Sequence, residues 1–261
     1  MKNNRITIRI GRNSLSFAAQ SENGEYVYEP FVLKSGISLA ANLRTAFKTS
    51  QLLDASSSEA RVMVAGPTLM TPVELFNEEE IEQIYFHTYP DLNQNHVFFN
   101  VIPDLNAVVL FSMGKDMKLV IDDHFKDLRL VAATTPVWRH LYRRSFVGNR
   151  RKLYGYFHDA QLDIFSFQQN RFRFCNVFDI TSIHDSLYFL LYVWKQLQLD
   201  PRHDEMYIVG NIPDTNRLLE QLNHYLKNVF VINIKAELGN NSITDIKGMP
   251  FDLQTLLVKG R

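Results

Sequence analysis

Leu153-Tyr154-Gly155-Tyr156-Phe157 runs into a polar break, His158-Asp159-Ala160-Gln161, and out again through Leu162-Asp163-Ile164-Phe165-Ser166-Phe167. Apolar residues alternate on both sides of the break, the pattern of a β-hairpin with one buried face. Residues 6 to 17 carry the same pattern. With Ile6 set against Leu153, the positions Ile8, Ile10, Leu15 and Phe17 fall on Gly155, Phe157, Leu162 and Ile164, and only the Ile8–Gly155 pair is not apolar in both. The chain reads as duplicated, which favours two domains over the single large one that 261 residues would also allow.

Working outward, the first copy continues from the hairpin at Ile6 to Ala19, turning at Arg12-Asn13-Ser14, to a third strand at Tyr26 to Leu33 entered through Glu22-Asn23-Gly24. Pro30 inside that strand asks for an edge or a bulge. Leu39, Leu43, Ala46 and Phe47 then share one helical face behind a Ser38 cap, a serine-rich loop covers Asp54 to Glu59, and Arg61 to Ala65 is a strand. Thr68 to Phe76 reads as a connector. Asn77 and Glu80 have capping-box spacing before a helix to about His87, and His96 to Ile102 is a strand. This block lacks a counterpart in the second half and is expected to be an insertion lobe, about 60–102. Ala107 to Phe111 is expected to be a buried central strand, Lys115 to Phe125 a helix, and Leu128 to Ala133 another buried strand. Thr135-Pro136 starts a helix bearing Val137, Trp138 and Leu141, which leads to the hinge-like Gly148. The second copy repeats the order: a third strand at Phe172 to Phe178, a helix after Ser182, a strand at Glu205 to Gly210, a helix at Asp214 to Lys227 and a strand at Val229 to Ile234. Beyond Ala236 the signal fades, with a short last helix over Asp252 to Val258. The expected domains are 1–147 and 148–261.

Apolar residues at 46% and aromatics at 12% suit packed globular domains and exclude whole-chain disorder. Lys plus Arg and Asp plus Glu are 28 each, so no global field draws in nucleic acid or an anionic bilayer. Cys175 is the single cysteine, which excludes an internal disulfide or a cysteine-cluster metal site. The start lacks the apolar core of a signal peptide and no run reaches the roughly 18 apolar residues of a membrane helix, so a cytoplasmic location is expected.

Two copies of β-β-β-α-β-α-β, the first with an extra lobe, resemble the actin-like ATPase architecture, a duplicated ribonuclease-H-like α/β fold. The chain is similar to the actin-like proteins of bacterial cell division and type IV pilus assembly, and more closely to an uncharacterised bacterial family of this fold. In working members of the class the two hairpins are phosphate loops close to Asp-x-Gly followed by Ser or Thr, with the aspartate serving the metal and the glycine and turn amides the phosphates. Here the first hairpin reads Arg9-Ile10-Gly11-Arg12-Asn13-Ser14, so Arg9 stands where the acid belongs. In the second hairpin the matching positions are Tyr156 and His158, which lack both acid and glycine. The family's adenosine-contacting Gly-Gly is similar to Val209-Gly210-Asn211, with one glycine kept. The resemblance therefore implies a pseudo-ATPase without catalytic or metal-binding residues, acting on a protein partner or on itself. A second possibility is ATP or ADP held without turnover between the lobes by Gly11, Ser14 and Gly210, with Arg9 or Arg12 neutralising phosphate. A nuclease of this fold would need converging carboxylates that the hairpins do not supply.

Other polar groupings have plainer readings. His158, Asp159 and Asp163 are metal-ligand types, but neighbours on a strand point to opposite faces, so they are read as a polar turn. Asp122-Asp123-His124 is read as a solvated helix end and His184-Asp185 as a helix start. Arg139, Arg143, Arg144, Arg150, Arg151 and Lys152, with Tyr142 and Phe146, could meet a phosphate-bearing partner. The plainer reading is an interdomain connection paired with nearby acids, and nucleic acid is not expected. Trp194, Tyr188, Phe189 and Tyr192 are read as core, with any exposed members available to an oligomer interface.

Overall fold

Alternation along the opening strand sets the layering of the first half. In a computed structural model, which describes residues 6–21, 23–54, 59–168, 171–239 and 241–259, β1 (Ile6–Ile10) sends Ile6, Ile8 and Ile10 to one face and Thr7 and Arg9 to the other. Of the loop expected from Asp54 to Glu59, residues 55–58 lie outside the described residues, as does Glu22 of the expected turn, while Asp54 ends a helical turn and Glu59 begins a strand. β2 (Leu15–Gln20) and β3 (Tyr26–Phe31) follow antiparallel, and Pro30 is accommodated because β3 is the edge strand. α1 (Leu39–Thr49) starts at Ser38, whose hydroxyl accepts from the Ala41 amide, and lays Leu43 and Ala46 over Ile8 and Ile10 in the core. After the single turn α2 (Gln51–Asp54), β4 (Glu59–Val64) runs parallel to β1.

Residues 60–64, expected at the start of the lobe, thus belong to the main sheet. The separate three-stranded sheet is built from β5 (Thr68–Pro72), β6 (Asn95–Ile102) and β7 (Ala107–Gly114), with α3 (Ile81–Thr88) packed on it through the fully buried Tyr85. The expected connector at 68–76 therefore contains a strand. The central, buried character expected of Ala107 to Phe111 holds, but within the lobe's sheet. α4 (Lys115–Asp122) returns to the main sheet, which β8 (Asp127–Ala132) closes as an edge strand. β8 is only partly buried rather than a buried inner strand, because among the described residues no further strand pairs with its outer edge. The first-sheet order is β3-β2-β1-β4-β8.

After α5 (Thr134–Ser145), the second half repeats this order. β9 (Lys152–His158), β10 (Gln161–Gln168), β11 (Arg171–Asp179), β12 (Glu205–Gly210) and β13 (Val229–Val231) are arranged β11-β10-β9-β12-β13. α6 (Ile183–Gln196) opens with a full capping box between Ser182 and Asp185 and presses Leu190 onto Gly155, where a Cβ would stand 3.1 Å from the leucine methyl. Close helix-to-strand approach explains the one non-apolar member of the repeat. α7 (Thr215–Asn223) is shorter than expected. The strand expected to reach Ile234 stops at Val231, since Asn233 caps α8 (Ile234–Leu238) through the Ala236 amide.

Two helices lie between the sheets. From α5, Trp138 meets Phe165 and Phe172 of the second sheet edge-on, at 6.2 and 4.9 Å between ring centres. The last helix, α9 (Phe251–Lys259), crosses back: Leu253 and Met249 pack with Ala18, and Leu256 with Met63 and Ala133. Phe251 meets both His140 of α5 and Tyr156 of β9. Among the described residues no helix is long and apolar enough to cross a membrane.

Candidate functional site

Arg9 leaves β1 on the face opposite its isoleucines and enters the space between the sheets, where only 3% of it stays exposed. A guanidinium there must find anions, since an unpaired buried charge costs several kcal/mol. It finds two. Nε donates to both carboxylate oxygens of Asp252, at 2.9 and 3.0 Å, while Nη2 donates to Asp252 Oδ2 at 2.7 Å and to Asp159 Oδ2 at 2.6 Å. Ser14 Oγ, 3.3 Å from Nη1, donates in turn to Asp159 Oδ1 at 2.8 Å. Asp252 is fully buried in the first turn of α9, and its amide donates to the Tyr156 hydroxyl at 3.3 Å. Burial works against the Arg9 charge, but Asp252 and Asp159 outweigh it and hold its pKa above the ordinary value.

Asp159 reaches this point because of its turn. His158 pairs with Gln161, leaving a two-residue hairpin loop in which Asp159 and Ala160 both take left-handed φ, 44° and 59°. That corrects the expectation that His158 and Asp159 diverge: the left-handed turn swings the carboxylate back to 3.2 Å from His158 Nδ1. On the other side of the ring Nε2 lies 3.2 Å from Asp163 Oδ2, within ion-pair distance though off hydrogen-bond alignment. Burial would lower the imidazole pKa, but Asp163 and Asp159 override it and push it up to about 10. Burial likewise favours neutral Asp159, yet His158 and Arg9 keep its carboxyl well below the usual range. The acids are thus committed to internal cations. Among the described residues no three His, Cys, Asp or Glu side chains are disposed to hold a metal ion.

Of the residues expected at a nucleotide, Ser14 and Gly210 line one cleft of about 590 Å³ between the halves, with Arg9, Asn13, Tyr156 and Asp159. Gly11 does not line it. A Cβ at Gly11 would lie 2.1 Å from Ser14 Oγ and 2.4 Å from Asp159 Oδ1, so the glycine lets the two hairpin tips touch. Gly210 has φ of +103°, and a Cβ there would sit 2.1 Å from the Phe157 carbonyl oxygen. Arg12 spans the tips from outside, 2.7 Å from Asp179. Where a phosphate loop presents a hydroxyl and a cation to an incoming oxyanion, this chain presents Ser14 and Arg9 to its own Asp159.

The basic segment does not form one patch. Arg144 pairs with Glu237 and covers the Tyr207 ring, Arg150 pairs with Glu205, Arg151 with Asp204 at 2.7 Å, and Lys152 is buried, donating to the carbonyls of Ser145, Val147 and Arg150. Arg139 and Arg143 turn elsewhere, into a different cavity. Asp122 pairs with Lys118 and His124 stacks on Phe47, a helix end as read. Trp194 is core, whereas Tyr188 and Tyr192 stand exposed and stacked.

Two sheets of identical strand order, each opened by an antiparallel hairpin and extended by parallel strands, with α5 and α9 between them, define the actin-like ATPase fold. A Bacteroides thetaiotaomicron VPI-5482 protein of actin-like ATPase fold and unknown function matches with a TM-score of 0.85 and 26% identity, over 98% of this chain and 96% of that one. The chain belongs to the DUF3822 family, proteins of unknown function, which it matches over residues 1–229. The PilM–PilN type IV pilus biogenesis complex contains a chain of the same fold, with a TM-score of 0.54 and 12% identity over 90% of this chain and 89% of that one. AlfA from a B. subtilis plasmid filament aligns over 98% of both chains at 12% identity, with a TM-score of 0.46. No protein of curated function matches the chain.

Proposed function

We propose that this is a non-catalytic actin-like protein, a pseudo-ATPase whose two domains, 1–147 and 148–261, work through contact with another protein or a second copy. The observation that carries the reading is Arg9. It occupies the position where working members carry the metal-serving aspartate, and its charge is spent on Asp252 and Asp159 rather than left for a ligand. A magnesium ion there would face a buried cation, and phosphoryl transfer depends on metal charge at that point. Exposed, stacked Tyr188 and Tyr192 on α6 support a protein contact, since aromatics are enriched at interfaces. PilM, of the same fold, occurs in a complex with PilN, and only the mode of action is carried over from it.

A second reading keeps a nucleotide without turnover, because the 590 Å³ cleft beside Ser14 and Gly210 remains open. The test is an ATP turnover assay with magnesium, joined to thermal-shift titration with ATP and ADP. The first reading expects no turnover and no stabilisation that depends on the interlobe cleft. Hydrolysis abolished by Gly210→Ala, in protein shown to remain folded, would sink both readings. Stabilisation without turnover that is lost in Asn13→Asp, a change in the cleft lining, would select the second.

A further inference from the structure

A cavity of about 410 Å³ opens where β4, β6, β8 and the start of α5 meet, and shares no lining residue with the interlobe cleft. Four arginines line it. Arg61 and Arg129 are direct partners in the parallel β4–β8 ladder, and Arg139 and Arg143 stand one turn apart on α5. Like charges facing each other across strands, or spaced i and i+4 on a helix, repel. Two such pairs directed at one space therefore cost stability unless an anion lies between them. Nearby acids offset part of this: Asp104 is 3.4 Å from Arg139, and Glu59 and Asp127 precede Arg61 and Arg129 by one same-face step. Neither Arg129 nor Arg143 is ion-paired among the described residues.

Further observations point the same way. Thr135 lines the cavity, is more than nine-tenths buried, and its hydroxyl has no hydrogen-bond partner among the described residues. It belongs to the first turn of α5, a 12-residue helix whose N-cap, Ala133, supplies no side-chain cap, so the helix's positive end is left open here. The wall is rigid: Asn100 of β6 bonds to the Leu130 carbonyl at 3.0 Å and the Ala132 amide at 2.8 Å, pinning the lobe to the edge strand. Phe99, Val131 and Leu256 add an apolar side.

We propose that this cavity binds a small phosphate-bearing molecule with at least two negative charges, with the arginines as counter-charges, the Thr135 hydroxyl as donor and the apolar wall holding an organic part. Arginine forks match phosphate oxygens two at a time, and the volume lies in the small-molecule range. The site is independent of the interlobe cleft and of the pseudo-ATPase reading.

Isothermal titration of the whole protein with inorganic pyrophosphate, and separately with ADP, tests it. Saturable pyrophosphate binding is expected, weakened by more than about tenfold in Arg129→Gln/Arg143→Gln, since each change removes a charge-assisted hydrogen bond to the ligand. These side chains are exposed and their removal relieves the repulsion within each pair, so the variant should melt no lower than wild type in the absence of ligand. Asn13→Asp, which places a negative charge at the interlobe cleft, should leave the affinity unchanged. Tighter ADP than pyrophosphate binding with the same arginine dependence would place the organic part on the apolar wall. Absence of pyrophosphate binding at millimolar concentration overturns the proposal. So does binding that survives the double arginine change, whether or not Asn13→Asp abolishes it, or an acidic peptide that binds where pyrophosphate does not.

Discussion

Replacing Arg9 by Met removes the cation that two carboxylates face and leaves most of the side-chain volume in place. Asp252, with no exposure to water, keeps only backbone and hydroxyl neighbours, while Asp159 retains Ser14 and His158. Removing one partner of a buried pair costs about 3–5 kcal/mol, a large share of the roughly 5–15 kcal/mol that stabilises a typical protein. In urea, with a slope of about 2–3 kcal/mol per molar, the midpoint should fall by about 1–2.5 M. Arg9→Lys keeps the charge but cannot make the fork to Asp252, and should lie between wild type and Arg9→Met. The decisive comparison is the double variant Arg9→Met/Asp252→Leu, because replacing both ends of a buried pair by apolar groups is often close to neutral. Urea melts followed by tryptophan fluorescence read these four proteins and the single Asp252→Leu variant, which closes the double-mutant cycle. If Arg9→Met costs less than about 1 kcal/mol, or if the two changes simply add, Arg9 is not the buried staple between the halves.

The charged cluster should also set a pH profile. His158 has a folded pKa raised to about 10 from 6.5, so its contribution is complete below about pH 6.5 and is lost as pH rises through 10. Asp159 is shifted the other way, so its contribution is present above about pH 4 and is lost as pH falls further. Urea midpoints should therefore peak between about pH 4 and 6.5, and His158→Gln should flatten the alkaline side; an unchanged alkaline slope would remove His158 as its cause. Gly210→Ala should destabilise by at least about 1–3 kcal/mol, because its φ and the Phe157 carbonyl both oppose a Cβ, and a thermal melt would show it. Ser182→Ala should cost about 1 kcal/mol through loss of the capping box, measured in the same way.

The repeat was legible because strand alternation is local. Ile10 pairs with Leu15 as Phe157 pairs with Leu162, so matching sequence positions are matching ladder positions. Gly155, the one break in that match, gave no such reading, because the Leu190 methyl that fills the space above it comes from α6. The lobe's boundary was harder to see, since Glu59–Val64 reads alike whether its neighbour is β1 or another strand, and only the sheet decides. Arg9 stood out as a misfit in a phosphate-loop pattern, but its partners could not be read. Asp252 lies 243 positions away on a weakly patterned helix, and Asp159 reaches Arg9 only through left-handed backbone at two non-glycine residues, which alternation does not announce. The arginine cavity was half visible: Arg139 and Arg143 belonged to a noted basic run, whereas Arg61 and Arg129 join them only through β4–β8 pairing.

The separation between Arg9 and Asp252 also bears on synthesis. At roughly 5–20 residues per second, a ribosome takes on the order of 10–50 s to travel from one to the other. For that interval the nascent first sheet holds an arginine aimed at a surface that α9 has yet to cover, so its closure waits for translation to run most of the way through the second half.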